Sequence, residues 1–275
     1  MKRAGLALAI ISAASGIAAA AALAAASAAA DVSSNWAGYV ANGFGSTSST
    51  ASSAMSYTDV TGTWTQPTAT CTPGTTTSAA MWVGLGGYSQ SSDKLEQTGT
   101  SADCDSSGKA TYYAWYELVP SNSVNIKLKI SPGDVITSTV LITGSDVLVQ
   151  VKNRTRKTFF TKHLSMAAPD LTSAEWIAEA PALCSASFCR DLKLTNFGSV
   201  TFSKTYAQGN GLAGTITSPS WMSTPIQLVP QSRRFFGDPN DPTSGSSGAG
   251  AATTGLAADG SGFTVNWQAN PTAGT

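Results

Sequence analysis

From about residue 31 onward, the sequence consists largely of short segments in which apolar and polar residues alternate. About a dozen such segments carry Val, Ile, Thr, Tyr and Trp, and they are separated by Gly, Ser, Asn, Asp or Pro. Alternation with a period of two is typical of strands that bury one face. No ten-residue stretch beyond residue 30 has apolar residues at helical spacing. The pattern therefore predicts an all-β protein.

The arrangement of these segments indicates the fold class. The clearest alternation is NIKLKI, in which the apolar residues of 126–130 share one face and two lysines share the other. Gaps of hairpin length, without the strand-then-helix alternation of a parallel sheet, predict an antiparallel β-sandwich or barrel. Because such folds often run to 200 to 250 residues as one unit, residues 31–275 are predicted to form a single domain.

The first thirty residues have the features of a secretory signal peptide. Lys2 and Arg3 precede an apolar run, and Ala28–Ala30 fit an A-x-A cleavage pattern. An uncleaved membrane anchor is the alternative, but the run is rich in Ala and Gly and weak in Leu and Ile. No later stretch approaches the roughly 20 apolar residues of a membrane helix. We therefore predict a signal peptide over 1–30, secretion, and no membrane association after cleavage.

One later segment departs from the strand pattern. Residues 238–262 are low in complexity and rich in turn-forming residues, which predicts a long mobile loop. The sequence FTVNWQ that follows it predicts a last strand.

The charge balance excludes some partners. Without Lys2 and Arg3, 14 basic residues face 16 acidic ones, a net charge of about −2. A nucleic-acid-binding surface would require a basic patch, so we predict no nucleic acid partner. The low content of charged residues limits self-repulsion in acid, which suits an acidic environment.

The four cysteines are expected to form disulfides in an exported protein. Three pairings are possible. Cys184 and Cys189 enclose only four residues and could close locally, which leaves Cys71 to pair with Cys104. We favour this pairing.

Elimination narrows the chemistry available to the chain. The only histidine, His163, lies in an ordinary strand pattern, far from any nucleophile-elbow sequence. No cluster of His, Cys, Asp and Glu has metal-ligand spacing, and the GLGG at 84–87 lacks the spacing of a nucleotide-binding loop. We therefore predict neither a metal nor a cofactor.

The remaining candidates are carboxyl groups. The chain contains four glutamates, namely Glu96, Glu117, Glu175 and Glu179. Glu117 would share a strand face with two aromatic residues, an arrangement typical of a buried group or a groove. Glu175 and Glu179 lie four residues apart in AEWIAEAP, so on a strand they would share one face with Ile177.

At this point the chain resembles a known family. The resemblance rests on SSNWAGYV, WTQP, MWVGLGG, LEQTGT, YYAWYELVP, SPGDVI, SAEWIAEAP and NFGSVTF, which occur in this order from about Ser33 to Phe202. This set is similar to the glutamic peptidases, or eqolisins, which are acid-acting, pepstatin-insensitive endopeptidases. The resemblance implies a sandwich of two antiparallel sheets similar to the concanavalin-like lectin fold, polypeptide substrates and no cofactor. We expect a monomer.

The resemblance also implies site residues. It places the catalytic glutamine at Gln97 and the glutamate at Glu175, which would be the general base for an attacking water. Gln97 would orient that water and stabilise the oxyanion. Supporting or substrate-binding residues are expected at four further positions, Trp82, Trp115, Glu117 and Glu179. Trp36 and Trp64 also match family tryptophans, with packing in the sheet as their alternative role.

One departure and two alternatives accompany this interpretation. Many relatives have an aspartate soon after the W-V-G segment, where this chain has Gly86. A carbohydrate-binding or glycoside-hydrolysing sandwich could use Glu117 with Glu175 as a carboxyl pair. A binding protein without activity is the third hypothesis. Gln97 favours the peptidase, because a glycosidase has no need of an amide at that position.

Overall fold

A computed structural model describes residues 30–43, 55–89, 91–185, 188–230 and 248–271, with only the backbone for 184–185 and 188–189. Every regular element in these residues is a strand. Across the described ranges there is accordingly no helix with the length and apolarity needed to cross a membrane. The predicted signal peptide lies outside these residues, apart from Ala30.

Eighteen strands occur in the described part of the chain. They are β1 (Asp31–Ser33), β2 (Trp36–Asn42), β3 (Tyr57–Thr65), β4 (Thr77–Leu85), β5 (Leu95–Cys104), β6 (Ala110–Val119), β7 (Val124–Ile126), β8 (Val135–Thr143), β9 (Asp146–Asn153), β10 (Thr158–Ser165), β11 (Ser173–Glu179), β12 (Ala182–Ser185), β13 (Phe188–Asp191), β14 (Ser199–Gly209), β15 (Leu212–Gly214), β16 (Met222–Leu228), β17 (Gly250–Thr253) and β18 (Phe263–Gln268).

Most strands belong to one continuous, mainly antiparallel sheet. Its hydrogen-bonded order is β10-β9-β8-β3-β14-β18-β17-β16-β2-β11-β4-β5-β6-β7, with β15 beside β14 and β1 beside β16. Only the pairing of β1 with β16 is parallel among the strand pairs described. β12 and β13 form a separate hairpin. The prediction of an all-β antiparallel fold is confirmed.

The sheet folds back on itself, so that two layers enclose the main core. β4 and β11 pack over β3, and β5 packs over β8 and β9. Between the layers lie Trp64, Trp176 and Phe202, all essentially inaccessible to solvent. The ring centroids of Trp64 and Phe202 are 5.5 Å apart, which assigns Trp64 to core packing. This is the predicted β-sandwich.

Two sequence expectations need correction. The predicted loop over 238–262 contains β17, and residues 238–247 lie outside the described residues. Glycine is required in β17, since a Cβ at Gly250 would lie 2.1 Å from the carbonyl oxygen of Leu228. Composition therefore predicted a loop where small residues serve close strand packing.

The second correction concerns NIKLKI. Hydrogen-bonded pairing with β6 ends at Ile126, although Leu128 and Ile130 remain buried and the two lysines exposed. The alternation correctly predicted which side chains are buried, but burial alone does not require a ladder.

The predicted disulfide between Cys71 and Cys104 is present. It ties the end of β5 to the segment that precedes β4. The backbones of Cys184 and Cys189 face each other in the β12–β13 hairpin, but their side chains lie outside the described part, so that disulfide stays a prediction.

Candidate active site

The outer face of five adjacent strands, β2, β11, β4, β5 and β6, forms the floor of the candidate site. Alternation along β11 places Trp176 and Ala178 in the core between the layers and Ile177 on the outer face, as predicted. Ile177 joins a smaller apolar cluster there with Val40, Trp82, Trp115 and Ile226, among others. The cluster provides a rigid apolar base for the polar side chains around it.

A cavity of about 1320 Å³ opens above this face. Four of the residues singled out from the sequence line it, namely Gln97, Trp115, Glu117 and Glu179. Trp36 lines it as well. Residues from β2, β5, β6 and β11 thus converge on one space large enough for several residues of an extended peptide.

The carboxyl group of Glu179 lies in the cavity and is held by two N–H donors. The indole Nε1 of Trp82 donates to its Oε2 at 2.7 Å, and Nδ2 of Asn35 donates to its Oε1 at 3.1 Å. Burial raises the pKa of Glu179 to about 7, and the indole hydrogen bond opposes that rise. Both carboxyl oxygens accept N–H donors, an arrangement that suits the ionised form.

Trp82 does not line the cavity as expected, and lies fully buried beneath it. Its ring meets Trp36 edge-on, with centroids 5.0 Å apart. At Gly84, an added Cβ would lie 2.8 Å from Cζ3 of Trp82 and 3.2 Å from Cβ of Gln97. The indole therefore extends from Glu179 towards Gln97, and Gly84 leaves room for it.

Gln97 is held by Glu117 on the neighbouring strand β6. Nε2 of Gln97 donates to Oε2 of Glu117 at 2.7 Å, and the two residues are register partners. Burial raises the pKa of Glu117, whereas this hydrogen bond lowers it. Oε1 of Gln97 has no hydrogen-bond partner among the described residues. The amide is thus oriented on one side and keeps hydrogen-bonding capacity on the other.

Glu175 occupies a different environment from the one expected. It is 0% exposed, does not line the cavity, and has no hydrogen-bond partner for either oxygen among the described residues. Burial raises its pKa well above the usual range, and the nearby Asp170 and Glu96 raise it further. Glu175 thus lies on the strand face that carries Ile177, as predicted, but its carboxyl group does not reach the cavity.

Glu96 lies on β5 next to Gln97, and it is also fully buried. Burial raises the pKa of Glu96 to about 8, and both of its oxygens lack partners within the described ranges. Glu96 and Glu175 are close enough to influence each other electrostatically. These two buried carboxyl groups thus favour the protonated state.

The presence of glycine rather than aspartate at position 86 has a structural explanation. A Cβ there would lie 2.4 Å from Cβ of Asp170, so the space is already filled. The Asp170 carboxylate accepts hydrogen bonds from the Gly87 amide at 3.1 Å and from Oγ of Ser92. A carboxylate from the segment before β11 thus occupies the region where many relatives are expected to have their own.

Among the polar residues that the fold brings to the cavity, sequence reasoning did not assign Asn35, Asp103 or Tyr113 to the site. Asn35 immediately precedes Trp36 in the NWAG segment, so its position was a usable signal. Asp103 follows Gln97 on the same face of β5 at a period of two. Within the described residues, no cluster of three or more His, Cys, Asp or Glu side chains could hold a metal ion.

Comparisons with known proteins agree with this geometry. The Peptidase A4 family matches residues 34–231. No curated protein sequence matches the chain. Scytalido-glutamic peptidase, solved with a peptide-based transition state analogue, is 20% identical with a TM-score of 0.64, covering 85% of this chain and 98% of its own.

Two further structures have the same fold. SCP-B, a member of the eqolisin family in complex with the tripeptide Ala-Ile-His, is 20% identical with a TM-score of 0.58, covering 86% of this chain and 98% of its own. Aspergilloglutamic peptidase from Aspergillus niger is 26% identical with a TM-score of 0.51, covering 70% and 99%. Because the family match spans most of the chain and includes every strand of the site, this chain belongs to the Peptidase A4 family and is a glutamic endopeptidase.

Proposed function

We propose that this peptidase hydrolyses polypeptides with Glu179 as the general base and Gln97 as the group that stabilises the oxyanion. The observation that carries the proposal is the pair of N–H donors on the carboxyl oxygens of Glu179, in a cavity that Gln97 also lines. The base thus moves from Glu175, the position that the resemblance implied, to Glu179. Glu175 has no contact with the cavity through which it could reach a substrate.

The first step is attack by water on the scissile carbonyl. Glu179 accepts a proton from the water as the oxygen bonds to the carbonyl carbon, and the C=O electron pair moves onto the carbonyl oxygen. The C–N bond then breaks, and Glu179 returns the proton to the leaving amine. Trp82 and Asn35 hold the carboxylate in one orientation through both transfers.

Gln97 acts on the developing oxyanion. One hydrogen of its Nε2 is directed to Glu117, and the other can be donated to the oxyanion. Oε1 is available to accept a hydrogen bond from the attacking water. Because an amide does not titrate, this contribution is independent of pH.

The pKa of Glu179 specifies where in the acid range the enzyme should act. A base whose pKa is about 7 is ionised in a falling fraction as the pH decreases below that value. We therefore propose activity in weak acid, at about pH 5 to 7, rather than in strong acid. The proposal keeps the acid action that the resemblance implied but places it at higher pH.

We further propose that the protein is secreted after removal of residues 1–30 and acts as a monomer. The disulfide between Cys71 and Cys104 supports this location, since disulfides persist mainly in oxidising compartments. We propose no cofactor, no nucleic acid partner and no membrane association for the mature chain.

The test uses the chain from Asp31 with a denatured protein substrate between pH 3 and pH 8, with pepstatin or a chelator in parallel samples. We expect cleavage that neither additive inhibits, with kcat/KM decreasing on the acid side of about pH 6 to 7. No cleavage at any pH would overturn the peptidase mechanism. A maximum near pH 3 would overturn the assignment of a base with a pKa as high as that of Glu179.

A further inference from the structure

The layer that contains β3, β8, β9 and β10 has an outer face that takes no part in the cavity. On this face Phe159 is the register partner of Lys152, and Lys152 is the register partner of Thr137. Thr137 in turn pairs with Thr63, and their hydroxyls are hydrogen-bonded at 2.9 Å. These four side chains form a first row across the four strands. They alternate with core residues, so the row points away from the core.

A second row, parallel to the first, consists of hydroxyl and amide side chains. Thr161, Gln150, Thr139 and Thr61 are successive register partners across the same strands. Nε2 of Gln150 donates to Oγ1 of Thr161 at 2.7 Å, and the hydroxyls of Thr61 and Thr139 are 2.8 Å apart. A hydroxyl has one donor and two acceptor sites, so these groups keep capacity for further hydrogen bonds. The rows lie about 7 Å apart, and each spans about 14 Å.

Basic side chains gather at the first row. Lys152 belongs to the row, and Arg154 lies over it, donating from Nε to Oγ1 of Thr137 at 3.3 Å. Lys157 is exposed in the turn between β9 and β10. Within the described residues, none of these three basic side chains forms an ion pair. Lys152, Arg154 and Lys157 are called the basic end of the face below.

The acidic residues near this face leave the positive charge of the basic end in place. Asp134 is already paired with Arg156 at 2.8 Å. Asp59 and Asp146 lie four and six residues from the first row along their strands, which corresponds to about 13 and 20 Å. The basic end is therefore a local positive patch on a chain whose net charge without residues 1–30 is about −2.

Phe159 adds an exposed aromatic ring to this patch. It is 70% exposed, the highest value among the large apolar residues described. The face of an aromatic ring carries partial negative charge and attracts polarised C–H groups, such as those on the apolar side of a sugar ring. A sugar that bears a carboxylate can therefore pack on Phe159 while its charge lies next to Lys152. Sugar hydroxyls also require hydrogen-bond acceptors, which the threonines offer, whereas the oxygens of a phosphate polymer require donors alone.

We propose that this face binds an anionic polysaccharide whose charge is carried by carboxylates. The basic end pairs with the carboxylates, Phe159 packs against a sugar ring, and the side chains of the second row bind sugar hydroxyls. The inference goes beyond the proposed function, because the face and the cavity lie on opposite sides of the core. A chain bound in this way keeps its cavity open to polypeptides. In weak acid the sugar carboxylates stay ionised and lysine and arginine stay protonated, so binding and proteolysis share a pH range.

The test measures binding of the chain from Asp31 to polygalacturonate at pH 6 by affinity electrophoresis. Fully methyl-esterified polygalacturonate is the matched polymer without charge. We expect the apparent Kd for the esterified polymer to be at least about tenfold higher, and the Kd for polygalacturonate to rise with added salt, since exposed charges are screened. Polyphosphate, single-stranded DNA and vesicles that contain an anionic lipid are measured in parallel.

The variants separate charge from packing. Lys152→Gln combined with Arg154→Gln should raise the apparent Kd for polygalacturonate by about tenfold and weaken its dependence on salt. Phe159→Ser should raise the Kd by about threefold and leave the salt dependence unchanged, because it removes a ring and no charge. Lys109→Gln combined with Lys193→Gln removes two exposed charges outside this face, and this control should bind like the wild type. Thermal unfolding midpoints show that each variant is folded.

Four results would overturn the inference. The first is a wild type that does not bind polygalacturonate, or that binds the esterified polymer equally well. The second is an equal loss of binding in the control variant, which would mean that the position of the charge does not matter. The third is tighter binding to polyphosphate, DNA or anionic vesicles than to polygalacturonate, which would assign the face to phosphate groups. The fourth is unchanged binding in Phe159→Ser, which would mean that the face recognises charge without recognising the sugar.

Discussion

Glu179 and Glu175 lie four residues apart on the same strand, yet their surroundings are opposite. Both oxygens of Glu179 accept N–H donors, from Trp82 and Asn35, and its side chain reaches the cavity. Glu175 has no partner in the described part of the chain and no access to the cavity. Burial raises the pKa of both carboxyl groups, but of the two it is Glu179 whose oxygens both accept N–H donors.

The neighbouring strands cause this difference. Beside Glu175, the register partners are Val40 on β2 and Gly84 on β4, neither of which has a polar side chain. Beside Glu179 lies Trp36, and the residue before it, Asn35, supplies a donor. The sequence of β11 alone therefore cannot distinguish the two glutamates.

The largest expected effect is the difference in kcat/KM between variants of Glu179 and Glu175. Glu179→Gln should lower kcat/KM by about 10² to 10⁴, because it removes the proton acceptor from the cavity while keeping the side-chain volume. Glu175→Gln, the matched control, should stay within about threefold of the wild type at pH 6, since Glu175 does not contact the substrate. Initial rates on a denatured protein at pH 6 provide the measurement.

The reverse result, with Glu175→Gln inactive and Glu179→Gln active, would return the base to the position implied by the resemblance. Loss of activity in both variants would mean that the two carboxyl groups act as one unit. Far-ultraviolet circular dichroism of each variant would show whether inactivity reflects unfolding.

Much of the fold follows from the sequence because burial on a strand has a simple period. The alternation along AEWIAEAP correctly separated Trp176 from Ile177, and the strand content of the chain predicted the sandwich. The exceptions are β17, whose small residues resembled a loop, and NIKLKI, where alternating burial continues after pairing ends. In both, contacts made by residues distant in sequence decide the outcome.

The site was less predictable than the fold. Gln97 and Glu117 were both identified from the sequence, and their hydrogen bond joins adjacent strands. The choice between the two glutamates of β11 required knowledge of side chains on β2 and β4. Trp82 was expected at the surface of the cleft because its segment matched, but Trp36 covers it. Which of the two tryptophans meets the cavity depends on strand order, which the alternation of residues does not specify.

The second prediction concerns the buried carboxyl group of Glu96 and the pH dependence of the free energy of unfolding. The pKa of Glu96 is about 8 in the folded chain, above its ordinary value of 4.5. Because the folded pKa is raised, this group's contribution to stability is complete below about pH 4.5 and is lost as the pH rises through 8. Between pH 4 and pH 7 the loss is about 3 kcal/mol. The unfolding free energy in urea should decrease by that order.

Glu96→Gln should remove this share of the pH dependence, since an amide does not titrate. Glu175, Asp170 and Lys94 are the charged groups that act on Glu96, and the decreases due to Glu175 and Glu179, whose pKa values are also raised, should remain. Asp93→Asn changes an exposed charge and serves as the control. An unchanged dependence in Glu96→Gln would show that Glu96 does not titrate in this range. Together with the pKa of Glu179, this loss of stability favours weak acid as the working range.

The smallest expected effect tests the hydrogen bonds that distinguish Glu179. Asn35→Ala removes the donor to Oε1, which destabilises the ionised carboxylate and raises its pKa. One hydrogen bond of about 1 kcal/mol corresponds to roughly 0.7 of a pH unit, so the acid limb of kcat/KM should move upward by about that amount. Asn122→Ala, another asparagine that lines the cavity, should leave the limb in place. A lower rate with the acid limb at the same pH would mean that Asn35 only supports the local structure. A shift of the acid limb to lower pH would contradict ionisation of Glu179 as the step that limits activity in acid.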